Sequence, residues 1–244
     1  MITAIFRFHD ELNDFLAPKR RRQEFSAPCA RRATTKHMIE ALGVPHTEVA
    51  RILVNDEPVG FDRILEDGDR VAVYPRGEAQ AMAPLPGGHA PRFVADAHLG
   101  GLAHLLRMLG VDTLYDNHFH DDDIIAICER DGRIVLTRDR ELLKRRAVAQ
   151  GCYVHALKSE DQLREVVMRF DLARRAKPFT RCLHCNVPLR PVDKASVLDR
   201  LPPKVRELYD RFSTCDQCGR VYWEGSHFRN MRRLLDGVLN HPGT

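Results

Sequence analysis

Two pairs of cysteines, Cys182-x-x-Cys185 and Cys215-x-x-Cys218, with 29 residues between them, constrain this chain more than any other feature. Each pair sits in a knuckle, RCLHCN for the first and STCDQCGR for the second. A gap of two residues lets both thiolates of a pair turn toward one ion, and two such pairs complete a tetrahedron of soft ligands. The expectation is therefore a structural zinc ribbon over residues 178–244. Two disulfides are the other use of four thiols, and they belong to oxidising compartments. The N-terminal MITAIFRFHDEL is too polar for a secretory signal, so a cytoplasmic address is expected, with metal rather than disulfide. His184 and His227 lie near the knuckles and read as surface histidines.

No stretch approaches the roughly 20 apolar residues that span a bilayer, and no membrane role is expected. The formal net charge of +4 is unevenly placed. Residues 178–244 carry 11 basic and 7 acidic side chains, whereas the two preceding regions are close to balanced. Positive charge gathered on a metal-stapled end suits a polyanion, nucleic acid first.

Three modules follow one another. In residues 1–80, ITAIFRF alternates like a half-buried strand, and ARRATTKHMIEALGV carries a helical period through Met38, Ile39 and Leu42 to a stop at Gly43. ARILVNDEPV then turns at Asn55-Asp56-Glu57, and DRILEDGDRVAVYP turns at Asp67-Gly68-Asp69 before a last strand. That order gives a β-grasp domain. The run Lys19 to Arg22 falls between the first strand and the helix. The closing phrase EDGDRVAVYP resembles the ubiquitin-like sulfur carriers of cofactor synthesis. Those carriers end in a free Gly-Gly carboxylate, whereas Gly87-Gly88 here is followed by about 150 residues, so an interaction or RNA-positioning role is expected instead. The Ala-, Pro- and Gly-rich segment reads as a linker at 81–91.

In residues 92–177 strands alternate with helices, which predicts an α/β domain with a parallel sheet. PRFVADAHLGG places a short strand ending at Asp96, a Gly-rich turn and a helix with Leu102, Leu105, Leu106 and Leu109 on one face. GRIVLTRD ends at Asp139, and a helix begins near Asp121. Ligand crevices lie beyond the carboxyl ends of such strands. Carboxylates gathered there repel one another unless a divalent cation neutralises them, and hard oxygen donors select magnesium or manganese. Asp96, Asp122 and Asp139 are the expected ligands, with Asp121 also in the acidic set and Asp123 leaving the register of the triplet open. Arg138 is placed to steady a phosphate. Asp112 and Asp116 read as solvated loop acids.

The segments FVADAHLGGLAHLLRMLGVDTLY, DDDIIAICERDGRIVLTRDRELL, RCLHCN, CDQCGRVYW and GSHFRNM, in that order, resemble the prokaryotic Mut-seven C-terminal RNase family. The resemblance implies a PIN-like nuclease domain joined to a zinc ribbon, here preceded by a ubiquitin-like domain. It implies magnesium- or manganese-dependent hydrolysis of RNA, with Asp96 and Asp139 as acids of the site. After the last knuckle, Arg220, Trp223, Arg229, Arg232 and Arg233 are the expected nucleic-acid contacts, since aromatic faces stack unpaired bases while arginines meet phosphates. Tyr222 and Trp223 serve equally well as cover for the knuckle. Cys29, Cys128 and Cys152 have no partner at ligand spacing, and read as one loop thiol and two buried apolar residues. Two other readings are open: a non-catalytic RNA-binding or adaptor protein with a protein partner at the ubiquitin-like domain, and a sulfur-carrier fusion.

Overall fold

The computed structural model describes residues 1–76 and 90–240. Strand β1 (Ile2–Phe8) buries Ala4, Phe6 and Phe8 on one side. It pairs antiparallel with β2 (Phe25–Cys29). Helix α1 (Thr35–Ala41) starts where Thr34 accepts the His37 N–H at 3.2 Å. Strands β3 (Val49–Val54) and β4 (Glu57–Val59) form a hairpin. Its two connecting residues, Asn55 and Asp56, both have positive φ, 52° and 67°, the geometry that matches the twist of hairpin strands. Strand β5 (Arg70–Pro75) completes a five-stranded sheet of order β2-β1-β5-β3-β4, with β1 and β5 parallel. This is the expected β-grasp. Strand β2 is absent from the sequence reading: Pro28 lowers the strand signal, and the residue is tolerated because β2 lies at the sheet edge. Cys29 is the last residue of that strand and wholly buried, not a loop thiol.

Next come β6 (Phe93–Ala95), α2 (Gly100–Met108) and β7 (Thr113–Leu114). The turn expected at Gly100-Gly101 is instead the first turn of α2, preceded by a 3-10 turn at Ala97–Leu99. The glycines are there for close approach: a Cβ on Gly101 would lie 2.2 Å from the Ser159 hydroxyl. Then follow α3 (Asp121–Asp131), β8 (Ile134–Thr137), α4 (Arg140–Lys144), β9 (Gly151–Tyr153) and α5 (Ser159–Arg169). Strand β6 pairs parallel with β7, and β8 pairs parallel with β9. All residues of β6 and β8 are buried, as in strands covered on both faces.

The last region holds β10 (Arg190–Val192), α6 (Lys194–Val197), α7 (Pro203–Leu208), β11 (Phe212–Thr214), β12 (Val221–Trp223) and α8 (Ser226–Asn240). The three strands form an antiparallel sheet, β10-β11-β12, over a core of only Val197, Leu201 and Phe212. Among the described residues no helix is long and apolar enough to cross a membrane. Gly87-Gly88 and all of the expected linker except Ala90 and Pro91 lie outside the described residues.

The chain forms two compact units that interleave in sequence. One comprises Met1–Gly88 with His120–Val154, the other His89–Phe119 with His155–Thr244. Within the first unit the β-grasp meets α4 and β9 directly. Glu48 accepts the Tyr153 N–H at 2.9 Å, His46 Nε2 lies 3.1 Å from the Val148 carbonyl, and the rings of Phe15 and Tyr153 meet edge to face at 5.0 Å.

Candidate metal centre and active site

The four cysteine sulfurs converge within 4.8 Å of one another. The two knuckles have the same backbone form. Asn186 and Gly219, each directly after the second cysteine of its pair, have φ of 66° and 73°. Their N–H groups donate back to the carbonyls of Cys182 and Cys215 at 2.9 and 2.8 Å. Cys185 N–H points at the Cys182 sulfur at 3.3 Å, and Cys218 N–H at the Cys215 sulfur at 3.5 Å. The separation of Cys182 and Cys218 sulfurs is 3.7 Å. A disulfide needs about 2.05 Å; tetrahedral thiolates around zinc, each about 2.3 Å from the ion, stand about 3.8 Å apart. The donor set thus fits a structural zinc ion, and Tyr222 covers it with its hydroxyl 3.2 Å from the Cys182 sulfur. His184 and His227 are exposed.

The first knuckle is fastened to the second unit by residues that the sequence reading did not single out. Arg107, buried on α2, donates to four carbonyls: Thr113 at 2.9 Å, Leu183 at 3.1 Å, His184 at 2.8 Å and Tyr115 at 3.3 Å. Asn186 accepts the Thr113 N–H at 3.0 Å and donates to Asp112 at 2.7 Å. Asp112 also faces Arg181 at 3.7 Å, so it is pinned rather than solvated. An Arg inside an apolar helix face is the one signal the sequence offered. Asp116 is exposed as expected, and two hydrogen bonds from His118 hold its carboxyl below the ordinary range.

The acids occupy distinct settings. Asp96 directly follows β6 and is 9% exposed, with His98 Nδ1 at 3.4 Å from its carboxylate. Asp139 follows β8 by two residues, its N–H bound to the Thr137 hydroxyl at 2.9 Å. Its Oδ1 caps α4 by accepting the N–H groups of Glu141 at 2.7 Å and Leu142 at 3.4 Å. In the first turn of α3, Asp123 accepts the His120 N–H at 2.9 Å, while Asp122, 91% exposed at its side chain, faces Arg145 at 3.4 Å. Asp121 stands at the first helical position. Arg138 sits half-buried in the turn between β8 and α4. Burial pushes the Cys128 thiol up to about 11, the reverse of what a nucleophile needs.

At the basic end, Arg232 lies 5.2 and 5.1 Å over the rings of Phe179 and Phe228. Arg233 donates to Asn230, Arg220 lies 3.9 Å from the Cys218 sulfur, and Arg229 is exposed on α8. Trp223 is half-buried against the small core of the ribbon. Beside it runs an open groove of about 890 Å³, lined in part by Phe179, Tyr209, Phe228, Lys204 and Arg211.

A β-grasp domain, an α/β region with parallel strand pairs and a four-cysteine cluster thus define a multidomain protein. The chain belongs to the Mut7-C RNAse domain family, whose model matches residues 91–235. The Mut7-C ubiquitin model matches residues 1–81, in the same order. Over 114 residues the chain is 34% identical to the human exonuclease mut-7 homolog; the match covers 44% of this chain and 13% of that protein. The small archaeal modifier protein 1 of H. volcanii, 16% identical, is matched over 98% of its length and 31% of this chain with a TM-score of 0.26.

Proposed function

We propose that this chain is a metal-dependent ribonuclease that hydrolyses RNA phosphodiester bonds at the acids following β6 and β8, with the ribbon binding the substrate. Asp96 carries the reading, as a largely buried acid directly after parallel strand β6, where ligand crevices of such sheets lie. Asp139 occupies the corresponding position after β8. Asp96 and Asp139 are two of the magnesium or manganese ligands. The third comes from the first turn of α3, with Asp122 the choice there, since Asp123 serves the helix cap. When bound, one or two such ions would polarise the scissile phosphate and activate the attacking water. Two backbone N–H groups fix the Asp139 carboxylate before substrate arrives, and Arg138 holds a phosphate oxygen.

The ribbon groove suits unpaired RNA. Phe179, Tyr209 and Phe228 offer faces for bases, with Lys204, Arg211 and the exposed arginines of α8 for phosphates. The four cysteines hold a structural zinc, and the seven thiols, none in a disulfide, suit a reducing cytoplasm. The ubiquitin-like domain adds a surface for a protein partner.

Asp96→Asn and Asp139→Asn test the assignment. Each should abolish magnesium- or manganese-dependent cleavage of single-stranded RNA while binding persists or tightens, since a negative charge beside phosphate is removed. Undiminished cleavage by the double variant would refute the acidic site. Binding without cleavage by the unaltered protein would favour an adaptor.

A further inference from the structure

We infer that the ubiquitin-like domain is an internal support for the acidic site, and that Arg140 is the positioning residue through which it acts. The inference rests on the assignment of Asp139 as a metal ligand. Arg140 is the first residue of α4, directly after the Asp139 cap. Its guanidinium leaves its own helix and donates Nη1 to the Phe15 carbonyl at 3.2 Å and Nη2 to the Asp14 carbonyl at 3.3 Å. The same group lies 5.0 Å over the Phe15 ring and 5.6 Å over the Tyr153 ring. Phe15 and Asp14 belong to a 3-10 turn of the first domain, Asp10–Phe15, which also contains the buried Leu12 and Asn13. Asn13 ties that turn to the Phe8 carbonyl at 2.9 Å, so the carbonyls offered to Arg140 stand on the β-grasp core.

Two more contacts hold the surroundings of α4. His46 Nε2 meets the Val148 carbonyl just beyond the helix, and Glu48, 2% exposed, takes the Tyr153 N–H of β9. The entry of α4, the loop after it and the following strand are therefore all held by residues of the first domain. Helix α4 has only five residues, too few for stability of its own. Asp139 accepts the N–H groups of its first turn, so its carboxylate is oriented only as well as that turn is fixed. A fork of two hydrogen bonds, with two aromatic rings beside it, fixes an arginine in direction as well as position.

The test is manganese affinity of the full-length protein by electron paramagnetic resonance, beside kcat and KM on single-stranded RNA. The variants are Arg140→Lys, Arg140→Ala and Phe15→Leu, each checked for an intact cooperative unfolding transition. Supports of metal ligands typically carry about 10- to 100-fold in affinity or activity. We expect manganese binding to weaken by about tenfold in Arg140→Ala and Phe15→Leu, with KM for RNA unchanged and kcat restored toward normal at high manganese. Arg140→Lys keeps the charge but loses the fork, and should fall between. Unaltered manganese affinity in folded Arg140→Ala would overturn the inference. Global unfolding of every variant would also overturn it, because a positioning contact must be separable from the fold. Asp139→Asn in the same titration distinguishes the two ideas. If it binds manganese normally, the ligand assignment has failed; if it loses the ion while the Arg140 variants do not, only the support has failed.

Discussion

Arg107→Met should cost this protein about 3–5 kcal/mol, more than most buried substitutions. In the native state the guanidinium serves four carbonyls on two chain segments, at 2.8 to 3.3 Å. Hydrogen bonds from a charged donor contribute about 1.5–3 kcal/mol each, so four independent bonds would exceed 6 kcal/mol. They are not independent, since all share one group. The variant also recovers the cost of taking a cation out of water, a cost visible in the way burial pulls Arg107 below its ordinary pKa. What remains is the penalty of carbonyls stranded beside an apolar side chain. Domain stability is commonly about 5–15 kcal/mol, so the loss should be plain in a urea transition followed by tryptophan fluorescence, with Trp223 as the sole reporter. Because two of the four carbonyls, Leu183 and His184, lie inside the first knuckle, zinc should also leave faster to a chelator. A midpoint within about 1 kcal/mol of the parent, with an unchanged rate of zinc release, would refute the reasoning.

The purified protein should contain one zinc per chain by elemental analysis, and Cys182→Ser or Cys215→Ser should lose it and raise amide exchange across 178–231. Zinc-free protein prepared under full reduction would contradict this. Replacing Arg220, Arg229 and Arg233 together should weaken binding of every single-stranded RNA tested and reduce the salt slope by about 0.7 per lost phosphate contact; an identical slope would remove this face from the interface. His46, only 9% exposed, has its pKa lowered, chiefly by burial and next by Lys36, with Glu40 opposing. Since the unfolded chain then takes up the proton first, stability should be full above the ordinary value of 6.5 and fall as pH drops below it. A His46→Gln variant should show a flatter profile below pH 6.5, and an unchanged one would point to other groups.

The features legible in the sequence were those set by local rules. Cysteine spacing gave the two converging knuckles, hydrophobic alternation gave β1, and the acids at strand ends followed from apolar runs that stop at Asp96 and Asp139. What escaped depended on partners far along the chain. Gly100-Gly101 reads as a turn until Tyr115 and Ser159 are seen against it. Asp112 reads as solvated until Asn186, 74 residues on, reaches it. The triplet Asp121 to Asp123 has no register in sequence, because the Asp123 cap and the Arg145 facing Asp122 exist only in the fold. Arg140 looks like an ordinary surface cation, and the targets of Arg107 and Arg140 are backbone carbonyls, which no residue type advertises.

The interleaving of the two units also bears on how the chain emerges from a ribosome. Phe15 and Asp14 leave the exit tunnel early, but the arginine that fills the space over them lies 125 residues later than Phe15. The first domain is complete only at Pro75, so at synthesis rates of about 5–20 residues per second the stretch from there to Arg140 leaves it about 3–13 s without its cover. A nascent chain stalled after β5 has emerged and before α4 would present a finished β-grasp with the Phe15 ring and the His46–Glu48 edge bare, the state in which a chaperone would find most to hold.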